Sequence, residues 1–247
     1  MDTLLELLNR NPDIIEEYKE MNYKNEDPNI IREIEQNKLD LDLFHEGKKI
    51  VKNKKEQGDL LENYIISLVK TVKIFEFLHN KRTSGNEIDI LLKLNDKGKK
   101  LRALKIIPHW VQDYIVIECK NYSEKVGITY INKFHSLMSM TGVNFGIFAT
   151  YKGIKGKEKL GWQDAYGLIK KINLVHHTSN FKPLMIDLDF NGYENFQEEY
   201  NFIMWLDKLH SKIAFDLKSE DEFFKVESHE NQNDILNIIY KDKNEIF

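Results

Sequence analysis

Glu118, Cys119 and Lys120 close an apolar run, YIVIEC, that extends from Tyr114 to Cys119. In a strand, residues i and i+2 share a face, so Glu118 and Lys120 project together and Cys119 turns the other way. A carboxylate beside an ammonium suits phosphodiester hydrolysis. The carboxylate can hold a divalent cation. The lysine can orient or deprotonate a water, or stabilise the charge that develops on the phosphate. A second acid, Asp89, lies in EIDILLKL, an upstream run from Glu87 to Leu94 that also reads as a strand. Pairing the two strands would set Asp89 beside Glu118, giving two carboxylates for one or two Mg2+ ions. Magnesium prefers such hard oxygen ligands and keeps several waters.

The triplet alone carries little information. Four acid-x-Lys triplets occur, beginning at Glu17, Glu46, Glu118 and Asp216. Chance placement of the acids and lysines gives about five. Only Glu118–Lys120 ends an apolar strand, with an acid-bearing strand before it and an amphipathic helix after it.

The flanking pattern supplies elements to position these groups. Leu60, Leu61, Tyr64, Ile65, Leu68 and Val69 recur at helical spacing from Gln57 onward. Lys73 to Leu78 is β-rich, and Arg82 to Asn86 carries a turn signal. Asn95 to Arg102 reads as a lysine-rich loop or hairpin turn. Thr129 to Met140 is an amphipathic helix, Asn144 to Thr150 a buried-type strand, and residues 158–171 a further helix. Asn173 to His177 and Met185 to Phe190 are expected strands. The core order is therefore α-β-β-β-α-β with further elements after it. Before the core, Leu4 to Leu8 and Asp13 to Tyr18 read as short helices. Asp27-Pro28 opens another, which carries Ile31, Ile34, Leu39 and Leu43. After the core, Tyr193 to Phe215 reads as one long helix, residues 218–232 as an acidic linker, and Asp234 to Tyr240 as a short helix. The expected division is a helical extension over 1–56, a core over 57–190 and a mostly helical extension over 191–247.

Composition narrows the classes. The chain has 247 residues, 41% hydrophobic and 31% charged, which excludes a fibrous or disordered protein. No apolar run of membrane-spanning length occurs, and the acidic start lacks the features of a signal peptide. A cytoplasmic location is expected. One cysteine excludes an internal disulfide and a cysteine-based zinc site. The net charge of −4 conceals a balance of +12 over residues 48–175 between flanks of −8 each. A basic segment in an acidic chain suits a polyanion partner, although lysines also simply solvate a surface. Three clusters contribute: Lys48 to Lys55, Lys97 to Arg102 and Lys152 to Lys159. Lys54, Lys55, Lys99, Lys100, Lys152 and Lys155 are the phosphate-contact candidates. His135 and Trp162 read as packing residues, and His176-His177 as structural.

These pieces resemble the PD-(D/E)xK nuclease superfamily, and within it the Mrr-like restriction endonuclease catalytic domain. The resemblance covers about Gln57 to His177. It rests on QGDLLENYI, TSGNEIDILL, VIECKNYSEKVG and NFGIFATYKG. It implies a restriction-endonuclease-like α/β fold with an αβββαβ core, a central mixed sheet and helical extensions at both ends. It implies catalytic roles for Glu62 on the first helix, Asp89, Glu118 and Lys120. Asp89 and Glu118 would hold Mg2+, with Mn2+ able to substitute and the Cys119 backbone carbonyl as a further ligand. The turn Ser84-Gly85-Asn86-Glu87-Ile88-Asp89 has fewer glycines than the family turn. The resemblance implies a metal-dependent DNA nuclease of restriction or phage defence. A homodimer would allow double-strand cleavage, and the acidic ends could meet each other or a protein partner. The rivals are a non-cleaving nucleic-acid-binding module, a protein-interaction module, and a nuclease acting on RNA or on DNA junctions.

Overall fold

The computed structural model describes residues 25–82, 87–108, 110–157, 164–175, 183–189, 193, 196 and 200–214. Helix α1 (Pro28–His45) starts where Asp27 accepts the Asn29 N–H at 2.9 Å, with Pro28 at the first helical position. Helix α2 (Lys54–Val69) starts at Asn53, whose side chain accepts the Glu56 N–H at 3.0 Å. Glu56 reaches back to the Lys52 N–H at 2.5 Å, a near relative of the capping box.

Five strands follow: β1 (Phe75–Arg82), β2 (Glu87–Leu94), β3 (Tyr114–Lys120), β4 (Phe145–Thr150) and β5 (Leu184–Leu188). They form one mixed sheet in sequence order. β1, β2 and β3 pair antiparallel, and β3, β4 and β5 pair parallel. Helices α4 (Ile128–Thr141) and α5 (Asp164–Val175) make the two parallel crossovers, with the short α3 (Asp96–Ala103) between β2 and β3. Strand β4 is buried at every position, as expected where helices cover both faces of parallel strands.

One face of the sheet packs Val116, Phe148 and Met185 against Ile131, Phe134, Met138, Ile169 and Ile172 of α4 and α5. Gly146 permits this approach. A Cβ there would lie 2.6 Å from the Met138 sulfur and 2.9 Å from the Phe134 ring. On the alternate positions, Ile115 and Ile117 are also fully buried, and α2 packs against β3. Helix α6 (Phe202–Ala214) contributes buried Phe202 and Trp205. The described residues up to His210 belong to one compact unit.

The αβββαβ order and the mixed sheet agree with the sequence reading, and four local expectations do not. Asn95 to Arg102 is not a loop. Asn95 caps α3 by accepting the Gly98 N–H at 2.9 Å, and buried Leu101 anchors it. Asn173 to Val175 continues α5 rather than forming a strand, because Ala165, Ile169 and Ile172 bury at helical spacing. Strand β1 runs on through Arg82, four residues beyond the expected end. The long helix expected from Tyr193 is interrupted: Tyr200 has φ of 42°, and Asn201 caps α6 by accepting the Ile203 and Met204 N–H groups at 3.1 Å. The helices expected near the N-terminus, the turn at 83–86, Trp162, His176, His177 and the segments after 214 lie outside the described residues.

Candidate active site

The β2–β3 ladder fixes the central geometry. Its last pair toward the site is Ile90 with Ile117, so one further step sets Asp89 against Glu118. There the Asp89 Oδ2 accepts the backbone N–H of Cys119 at 2.7 Å. Lys120 projects to the same side. Its Nζ lies 2.5 Å from Glu118 Oε1 and 3.3 Å from Asp89 Oδ2, and it donates to the Cys119 carbonyl at 3.0 Å. The side chains of Asp89, Glu118 and Lys120 retain only 14–18% exposure, so water screens their charges weakly.

Burial pushes the Glu118 carboxyl up to about 7. Lys120 opposes this rise, while Asp89 and Glu62 add to it. For Lys120, burial alone would favour loss of the proton. The neighbouring Glu118 and Asp89 carboxylates reverse that effect and hold its pKa above the ordinary lysine value. The lysine is therefore an ammonium at neutral pH.

Glu62 enters from α2. It is buried at 7% exposure and bonded to the His79 ring of β1. Burial raises its carboxyl pKa; the His79 bond acts in the opposite direction, and Asp89 raises it further. Glu62, Asp89 and Glu118 thus sense one another and form one electrostatic site. The start of α2 is tied to the end of β3 by Asn121, which donates to the Gln57 carbonyl at 2.6 Å and accepts from Gln57 Nε2 through its own carbonyl. His45 of α1 closes the network, 2.5 Å from Asn121 Oδ1.

A family model described as restriction endonuclease, of the Mrr catalytic type, matches residues 54–178. The chain belongs to this family. No curated protein and no solved structure matches the chain. The match begins at the first turn of α2 and ends just after α5, so it takes in Glu62, Asp89, Glu118 and Lys120.

In this restriction endonuclease family member the donor set fits a hard divalent cation. Two carboxylates share a single ammonium, leaving excess negative charge when both are ionised. The Cys119 carbonyl adds an oxygen on the same side, as its bond from Lys120 shows. The Cys119 thiol is buried, and burial raises its pKa well above the ordinary value, so it offers no thiolate.

The lysine candidates separate into two groups. Lys54 and Lys55 lie exposed in the first turn of α2, beside the Gln57–Asn121 tie. Lys152 and Lys155 are exposed on the loop after β4, which bonds to the segment following Lys120 through Lys155 N–H and the Val126 carbonyl at 2.9 Å. These four stand at the site end of the sheet. Lys99 and Lys100 lie on α3, which follows the other end of β2. Asp89 to Leu94 spans roughly 17 Å of strand, so this pair is remote from the carboxylates.

Sequence reasoning did not single out Asp59, His79 or Asn121. Asp59 had a signal, since it precedes Glu62 by three positions on one helix. His79 and Asn121 had none, because their roles arise only from sheet pairing and the docking of α2.

Proposed function

We propose that this chain is a metal-dependent endonuclease that hydrolyses DNA phosphodiester bonds, acting in restriction or phage defence. The observation that carries the reading is the Lys120 ammonium set between Glu118 and Asp89 at the end of β3. Asp89, Glu118 and the Cys119 carbonyl would hold Mg2+, or Mn2+ in its place. Such a cation acts as a Lewis acid on phosphate and lowers the pKa of bound water.

The protein groups supply the rest. Lys120 keeps its proton, so its role is to orient the attacking water and stabilise charge on the phosphate rather than to abstract a proton. In the metal-free chain the same ammonium offsets part of the charge of the two carboxylates. Glu62, held by His79, supports the waters around the site. Lys54, Lys55, Lys152 and Lys155 contact the backbone of the nucleic acid, and sequence-independent phosphate contacts of this kind weaken with salt. A homodimer would place two such sites on opposite strands, with the acidic ends available for assembly or a protein partner. The expected location is the cytoplasm.

Supercoiled plasmid incubated with Mg2+, Mn2+ or EDTA tests the reading. Nicked or linear product with either metal, and none with EDTA, is expected. Intact plasmid under all three conditions would count against DNA cleavage.

A further inference from the structure

Beside the carboxylates on β2 and β3 lies a second group of different chemistry. Asp59, Glu62 and His79 each present a ligand atom, and the three atoms lie within 4.8 Å of one another. Asp59 and Glu62 come from one face of α2, and His79 from the edge strand β1. The Asp59 side chain makes no hydrogen bond or ion pair among the described residues. Glu62 has four lone-pair sites, yet among the described residues only His79 donates to it. A carboxylate this deeply buried with a single donor is short of positive partners. His79 is exposed, so an ion can enter from solvent.

We propose that Asp59, Glu62 and His79 form a second cation site, adjacent to the Asp89–Glu118 centre, which takes a transition-metal ion such as Mn2+ in preference to Mg2+. The preference follows from the ligands. Mg2+ favours an all-oxygen shell and gives up its waters reluctantly. An imidazole with two carboxylates suits a softer divalent ion. Mn2+ would therefore fill both centres where Mg2+ fills the Asp89–Glu118 centre alone. The inference stands apart from the nuclease reading, because it concerns bound metal rather than cleavage.

The test uses the full chain and Mn2+ alone. Bound ions are counted by electron paramagnetic resonance, and pulsed spectra detect nitrogen coupling from a ligated imidazole. Wild type is expected to bind two ions, one of them nitrogen-coupled. Asp59→Asn and His79→Gln should each weaken the coupled ion at least about tenfold. His79→Gln should also abolish the coupling, and both variants should keep the other ion. Asp59→Asn alters a helix residue with no partner among the described residues, so it preserves the test if His79→Gln impairs folding. Asp89→Ala should keep the coupled ion. Absence of nitrogen coupling in wild type, or coupling that persists in His79→Gln, would overturn the proposal. Retention of both ions by Asp89→Ala would instead count against the Asp89–Glu118 centre and leave this one standing.

Discussion

The Lys120 ammonium lies 2.5 Å from the Glu118 carboxylate, yet burial still keeps that carboxyl near pH 7. The lysine therefore offsets only part of the cost of removing Glu118 from water. In the metal-free chain, Glu118 binds its proton more tightly when folded than when unfolded. Its contribution to stability is complete below about pH 4.5, the unfolded value, and is lost as pH rises through about 7. Thermal unfolding in EDTA should show wild type losing stability from pH 5 to pH 8, and Glu118→Gln losing less. Saturating Mg2+ should shrink the difference. Identical pH profiles for the two proteins would contradict this electrostatic picture.

Asn121 links α2 to the end of β3: its side chain donates to the Gln57 backbone carbonyl and meets the His45 ring, and its backbone carbonyl accepts from Gln57 Nε2. It is almost fully buried at 3% exposure. Asn121→Ala removes the amide that meets the Gln57 carbonyl and the His45 ring, and should destabilise the fold by about 2 kcal/mol. Because α2 also carries Glu62, cleavage should fall even where the variant remains folded. Urea unfolding and plasmid cleavage on one preparation separate the two effects.

The division of the lysines gives a salt-dependence test. Replacing Lys152 and Lys155 together by Ala should reduce the slope of log affinity against log salt by roughly 2. Replacing Lys99 and Lys100 should leave it unchanged, since α3 is at the other end of the sheet. Fluorescence anisotropy with a labelled duplex at several salt concentrations measures both slopes. An equal loss from the two pairs would mean that DNA reaches α3.

Packing beneath the site is tight at Gly146. Gly146→Ala would drive a methyl into the Phe134 ring and the Met138 sulfur. A loss of about 1–3 kcal/mol is expected from such overpacking, read as a lower urea midpoint with the same slope.

Much of the centre of this molecule was legible in the sequence. YIVIEC and EIDILLKL announce buried strands, and their acids and lysine fall at positions that pairing brings together. The periodic helices around β4 were equally clear. The failures have physical causes. The α3 segment is eight residues long and mostly polar, with Gly98 and Leu101 its only buried positions, so no apolar period marks it. The end of α5 is β-branched and apolar, which imitates a strand once helical spacing is ignored. The lysine clusters looked equivalent because a sequence does not say which end of a sheet a loop occupies. His79 was invisible for the same reason: its meeting with Glu62 depends on how α2 lies against β1.

The most direct test of the account compares cleavage with metal affinity in Asp89→Ala and Lys120→Ala. Mg2+ binding is read by calorimetry, and cleavage by the single-turnover rate on a duplex. Asp89→Ala should lose both. Lys120→Ala should cleave on the order of 10²–10³ times more slowly, yet bind Mg2+ at least as tightly, because a competing ammonium has gone. Cleavage by either variant at the wild-type rate would contradict the assignment of Asp89, Glu118 and Lys120 as the catalytic centre.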